Sequence, residues 1–230
     1  MLKAIDISVE YPDGKKAISG VSFTAAPGEN VALIGANGAG KTTLLLAVVG
    51  LLPLKGGAVS VGGTELTKKN MREIRSRIGV VFQNPDDQLF MPRIFDDAAF
   101  GPRSYGLGED GARARAHEAL ESLGIGHLAE RSPLRLSGGE KRLAAIATVL
   151  SMQPEYMLFD EPTAFLDPRA KRGLINILEK MPQGKLIATH DFALAKRLCS
   201  RVLLLQNGRL AADAATAILD DAEALEAAGL

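Results

Sequence analysis

Three short stretches hold the residue types that phosphate chemistry needs. The first is Gly35-Ala-Asn-Gly-Ala-Gly-Lys41-Thr42, which fits G-x-x-x-x-G-K-[ST]. Its glycines let backbone N–H groups turn inward around phosphate oxygens with no Cβ in the way. Lys41 adds a point charge, Thr42 a hydroxyl suited to Mg²⁺, and the helix expected from Lys41 to about Val49 adds its positive end. The second stretch is Tyr156-Met-Leu-Phe-Asp160-Glu161, an apolar strand ending in two acids. Asp160 there can hold Mg²⁺ through water, and Glu161 can orient or deprotonate an attacking water. The third is Leu136-Ser137-Gly138-Gly139-Glu140, where a serine hydroxyl and the N–H groups of a helix start offer a second anion site. Read alone, that last stretch is better taken as an ordinary serine N-cap with two glycines.

These stretches need a frame. Asn30–Ile34 is a short, almost wholly apolar run, suited to a parallel strand buried on both faces. Similar runs at 78–82, 156–159, 186–189 and 202–205 alternate with helical stretches at 140–152 and after Pro168, which predicts an α/β fold around a mostly parallel sheet. Before it, Ile5, Ile7, Val9 and Tyr11 alternate with polar residues, and 17–25 and 59–61 also read as strands, an N-terminal antiparallel β subdomain. Between 84 and 134 the pattern turns helical, with Ala112, Ala116, Ala119, Leu120 and Leu123 at helical spacing. We expect a single domain over 1–230, with 1–83 and 135–230 as core and 84–134 as a helical subdomain.

The order of these features closely resembles the ATP-binding subunits of ABC transporters. Leu136–Glu140 is similar to their signature motif LSGGQ, and Gln83 follows a strand as the Q-loop glutamine does. Asp167 matches the D-loop, His190 the switch histidine, and Tyr11 the aromatic that stacks on adenine. The resemblance implies ATP hydrolysis, ATP and Mg²⁺ as ligands, and a head-to-tail dimer in which each nucleotide lies between two subunits. It places Tyr11, Gly35, Ala36, Asn37, Gly38, Ala39, Gly40, Lys41, Thr42, Thr43 and Asp167 at the nucleotide, with Ser137, Gly138, Gly139 and Glu140 reaching the one held by the partner. Thr42, Gln83 and Asp160 become the metal-side residues, and Glu161, His190 and Gln83 the catalytic ones. Two departures stand out: Glu140 in place of the usual glutamine, and Phe165 where D-loops carry small residues.

Phe82-Gln-Asn-Pro-Asp-Asp-Gln-Leu-Phe90 is similar to the ATPases of energy-coupling-factor importers for vitamins, cobalt or nickel. That implies a second ATPase subunit, a transmembrane coupling protein, a substrate-binding membrane subunit, and a peripheral place on the cytoplasmic face of the membrane. Phe90, Met91, Phe95 and Phe100 are expected in the groove for the coupling protein, with a core role for Phe95 and Phe100 as an equal alternative. Residues 218–230 resemble the point where many members continue into a C-terminal extension, so dimerisation is expected to lean on ATP or on the membrane partner. Other readings of the same cassette are a different ABC transporter class or a soluble ABC ATPase acting on nucleic acid or ribosomes. A plain P-loop kinase leaves Leu136–Glu140, Gln83 and His190 unexplained.

Composition agrees. Lys+Arg and Asp+Glu both total 27, so the broad basic footprint of a nucleic-acid binder is missing and no nucleic-acid partner is expected. The single cysteine, Cys199, lies on an apolar stripe and reads as core in a reducing compartment. The longest apolar run, Leu44–Leu54, is far short of the ~20 residues that span a bilayer. His117 and His127 have no neighbours at metal-ligand spacing. The acids of 220–226 read as the wet face of an amphipathic helix whose apolar side is Ile218, Ala222 and Leu225.

Overall fold

The computed structural model describes residues 1–230. Strands β1 (Leu2–Glu10) and β2 (Lys16–Ala25) pair antiparallel around a Pro12–Gly14 turn. β3 (Asn30–Ile34) then enters the main sheet, and α1 (Lys41–Val48) follows directly from the glycine loop. β4 (Gly56–Val61) and β5 (Thr64–Glu65) return to the first sheet, whose order is β2-β1-β4-β5. α2 (Met71–Arg77) leads into β6 (Ile78–Val81); α3 (Ile94–Ser104), α4 (Glu109–Ser122) and α5 (Gly138–Leu150) come before β7 (Tyr156–Asp160). α6 (Pro168–Lys180), β8 (Gly184–Ala188), α7 (Phe192–Leu198), β9 (Arg201–Gln206), β10 (Arg209–Ala215) and α8 (Ala222–Ala227) complete the chain.

The main sheet runs β10-β9-β3-β8-β7-β6, parallel throughout except for β10, which lies antiparallel on β9. Strand periodicity divides its side chains between two cores. Ala32, Ile34, Met157, Phe159, Ile187 and Leu204 face α3 to α7, while Val31, Leu33, Leu158, Leu186 and Leu203 face α1 and the first sheet. The buried Tyr156 hydroxyl ties the sheets, donating to Ala25 O at 3.1 Å and accepting from Leu2 N at 3.0 Å. Because β3, β6, β7 and β8 are parallel, their C-terminal ends open on one edge, where ligands bind in sheets of this kind.

Several expectations change. The helical texture of 84–134 resolves into α3 and α4 joined by turns, with Pro102 inside α3. Phe95 is 2 % exposed, so it belongs to the core rather than to a surface groove. The C-terminal run is not one helix: a 3₁₀ turn ends at Asp220, Asp221 caps α8, and Ala222 is exposed. The apolar contacts there come from Ile218, Leu219, Leu225 and Ala228. Cys199 is buried as expected, and burial pushes its thiol up to about 12. No helix is long and apolar enough to cross a membrane.

Candidate functional site

The site is built from the turn after β3. Gly35 has no room for a side chain, since a Cβ there would meet Leu205 O at 2.4 Å. Gly40 sits at φ 106°, where a Cβ would lie 2.8 Å from Ala17 O. These two positions force glycine and curl the loop so that α1 starts with its N–H groups facing outward. Lys41 Nζ bridges the loop, donating to Gly35 O at 2.8 Å and Ala36 O at 3.2 Å. Thr42 Oγ1 donates to Asp160 Oδ2 at 2.7 Å, joining the loop to the end of β7. Burial holds the Asp160 carboxyl above the usual range, opposed by the Thr42 hydrogen bond. Thr43 Oγ1 pairs with the Tyr11 hydroxyl at 2.8 Å and brings that ring to the loop.

Glu161 follows Asp160 in a left-handed backbone conformation, φ 45°, with its N–H bonded to Ala188 O at 2.8 Å. Phe165 is at φ 62°, so two non-glycine residues of one turn share the left-handed region, a strain of the kind found at functional sites. Glu161 Oε2 accepts from Thr189 Oγ1 at 3.2 Å and lies 3.0 Å from His190 Nδ1, while Oε1 has no protein donor. Thr189 Oγ1 itself accepts from Asp191 N at 3.0 Å, so its one proton is directed at the carboxylate. Asp191 caps α7 through Leu194 N; burial opposes its charge, and the ion pair with Lys171 of α6 holds its carboxyl below the usual range.

These groups surround a cleft of about 1230 Å³. Of the expected residues, Tyr11, Asn37, Gly38, Gly40, Lys41, Thr42, Thr43, Gln83, Asp160, Glu161 and His190 line it. Gly35 and Ala39 are buried behind the loop surface, Ala36 is exposed outside the cleft lining, and Asp167 caps α6 by accepting from Arg169 N and Ala170 N at 2.8 and 2.9 Å. Ser137, Gly138, Gly139 and Glu140 do not line this cleft; they form the start of α5, closed by a reciprocal capping box. Within one chain, the glycine loop and the start of α5 do not share a cleft.

Sequence reading missed the fastening of Gln83. Arg142, 2 % exposed, donates to Phe82 O and Gln83 O, both at 2.6 Å. Gln88 accepts from Phe82 N and donates to Ala145 O and Thr148 Oγ1, and Lys141 pairs with Asp86 at 2.6 Å. The loop after β6 is thereby tied to the helix that begins at Ser137. Asp97 Oδ1 braces the neighbouring turn, accepting from Phe90 N and Met91 N at 3.1 Å each. The cleft also includes Lys15 and Lys16 where β2 begins and Asn207 and Gly208 from the turn between β9 and β10, none of which sits in a motif.

A glycine loop at a helix start, a carboxylate on its threonine and a second carboxylate on a histidine define a P-loop nucleotide hydrolase. The family description "ABC transporter" matches residues 18–164. An ABC transporter ATP-binding protein of Geobacter sulfurreducens is 48% identical over 206 residues, covering 90% of this chain and 83% of that one. The energy-coupling factor transporter ATP-binding protein EcfA of Methanothermobacter thermautotrophicus is 42% identical over 236 residues, covering 100% and 76%. Among solved structures, cbiO1 from Clostridium perfringens, part of the ABC transporter complex cbiONQ, superposes with TM-score 0.85 at 33% identity, covering 97% and 92%. The dimeric cassette MJ0796, in a post-hydrolysis state bound to ADP and Pi, gives 0.83 at 25% identity, covering 94% and 99%. The chain belongs to the ABC transporter ATP-binding family: it is a nucleotide-binding ATPase whose hydrolysis is coupled to transport, and cassettes of this family dimerise and work with transmembrane components.

Proposed function

We propose that this chain is the ATPase of an energy-coupling-factor importer for a vitamin or a transition-metal ion such as cobalt or nickel. It would sit on the cytoplasmic face of the membrane with a second ATPase subunit, a coupling protein and a substrate-binding membrane subunit. The observation that carries the reading is the exposed aromatic pair Phe90 and Phe100, 64 % and 43 % exposed, with ring centroids 5.0 Å apart and edge to face. Phe90 lies on the loop that runs from Gln83 in the cleft and Phe100 on α3 beside it, so a partner gripping the pair pulls on that loop. The likeness to EcfA and to cbiO1 supports the same branch. We take 84–134 as the lobe that presents this patch.

In this reading ATP lies along the cleft with its base at Tyr11 and its phosphates on Gly35–Thr43. Thr42, Asp160 and Gln83 would hold Mg²⁺; their oxygens share one cleft, with Thr42 Oγ1 2.7 Å from Asp160 Oδ2, which fits that role. When bound, the ion neutralises charge on the phosphate oxygens. Glu161 Oε1, free of protein donors, orients the attacking water and takes its proton as the new O–P bond forms and the bond from the γ-phosphorus to the bridging oxygen breaks. Thr189 holds the other carboxylate oxygen, and His190 beside it at the rim contacts the γ-phosphate. The nucleotide is completed by Ser137–Glu140 of a second subunit and Asp167 at the seam, which accounts for the separation of the two anion sites in one chain.

The test is purification of the tagged chain from its native membrane, followed by vesicle reconstitution. Co-purifying multi-span membrane subunits and ATP-dependent uptake are expected. A chain that binds no membrane subunit yet turns over ATP at full rate would refute the importer assignment.

A further inference from the structure

We propose that Glu140 is a built-in competitor for the partner's nucleotide, occupying the donors that Ser137 would offer to the γ-phosphate. The inference rests on the composite-site reading above. Ser137 has one hydroxyl proton and one backbone N–H, and both end on a single oxygen, Glu140 Oε2, at 2.7 and 2.8 Å. Ser137 and Gly138 are exposed, so a ligand arriving from outside reaches the same donors.

The occupant is an anion. The hydrogen bonds from the Ser137 hydroxyl and N–H hold its carboxyl below the usual range, and the nearby charges of Arg131 and His127 act in the same direction. A glutamine here could still accept from the Ser137 N–H and close the capping box. It would do so as a neutral group, and a hydrogen bond to a charged acceptor is roughly twice as strong as a neutral one. Closing on ATP therefore requires the Ser137 hydroxyl to leave a carboxylate, and the γ-phosphate must approach that carboxylate's charge. Glu140 acts through Ser137 and so is a positioning residue. Its effect is to raise the threshold for two subunits to close on nucleotide while leaving the Gly35–Thr43 cradle alone.

The size follows from the exchanged bond. Trading a charged for a neutral acceptor corresponds to about a tenfold change per site, and one closure uses two such sites, giving about a hundredfold in the dimer Kd.

The experiment measures ATP-driven dimerisation by sedimentation in a Glu161→Gln background that slows turnover, at fixed ATP and Mg²⁺. Glu140→Gln is expected to lower the dimer Kd by about a hundredfold with ATP affinity of the monomer unchanged. Glu140→Ala, checked for folding by its melting curve, should also tighten the dimer despite losing half of the capping box. A purely structural capping role predicts no gain from either variant. Equal Kd values for the parent and Glu140→Gln, or a looser dimer in Glu140→Ala, would overturn the proposal alone. Absence of any ATP-driven dimer in every variant would overturn the composite-site reading and this inference with it.

Discussion

Arg142→Met separates the fastening of the catalytic loop from nucleotide binding. The substitution keeps an apolar stem of similar length but removes the guanidinium that donates to Phe82 O and Gln83 O at 2.6 Å. Hydrogen bonds from a charged donor contribute about 1.5–3 kcal/mol each, so roughly 3–6 kcal/mol is at stake for the pair. Part of this is recovered, because a buried cation carries a desolvation cost: burial lowers the Arg142 pKa, and its Nε has no partner. A net loss of about 2 kcal/mol is expected, or about 4–8 °C in Tm for a chain of this size. The cradle Gly35–Thr43 is untouched, so the KM for ATP should stay within about twofold. Gln83 lines the cleft and loses its anchor, so kcat should fall about tenfold, since small misplacements near reacting atoms cost that much or more. Steady-state ATPase kinetics and a thermal melt on one preparation check both. A variant that melts lower but retains full kcat would refute the link between α5 and the catalytic loop; a raised KM with unchanged kcat would show that Arg142 serves the cradle.

Three other outcomes are expected. Glu161→Gln should retain ATP binding, measured with a fluorescent analogue, and lose at least about a hundredfold in kcat; turnover within tenfold of the parent would remove Glu161 as the base. Phe90→Glu should abolish co-purification of membrane subunits while ATP affinity holds, because it charges the more exposed ring of the aromatic pair; retained subunits would show that docking lies elsewhere. Lys185 is 1 % exposed, and burial depresses its pKa to about 8, below its ordinary 10.5. Between those values the unfolded chain binds the proton and the folded chain does not, so stability rises with pH by up to about 3 kcal/mol on this group. Lys185→Met should lose that rise between pH 7.5 and 10 in urea titrations, and parallel curves for the two proteins would refute it.

The candidate site was legible because its residues sit in contiguous motifs at the ends of parallel strands, and each apolar run that ends in a candidate residue is a strand at that edge. What stayed hidden depends on partners distant in sequence. Arg142 meets Phe82 and Gln83 some 60 positions away, and no local pattern marks a basic residue on a helix as buried. Gln88, inside the stretch that pointed to the importer branch, was the available clue to that fastening. Strand β10 escaped because Arg209–Ala215 is mostly alanine, without the β-branched residues that favour strands, and gains its place by pairing with β9. Phe95 and Phe100 looked alike as sequence, yet one turn of α3 sends the first into the core and leaves the second on the surface. The C-terminal helix was read too long because Asp221, an N-cap, resembled one more surface acid.

The burial of Cys199 has a practical consequence. With the chain's single thiol enclosed and its pKa at about 12, almost none of it is thiolate at neutral pH, so maleimides and methanethiosulfonates should pass it by. The natural sequence already serves as a cysteine-light background for labelling. A cysteine introduced at Phe165 or Leu134, 94 % and 87 % exposed, would be the one reactive thiol on each subunit. A spin label or fluorophore at either position could then follow two subunits approaching and parting through a turnover, with every native side chain but one in place.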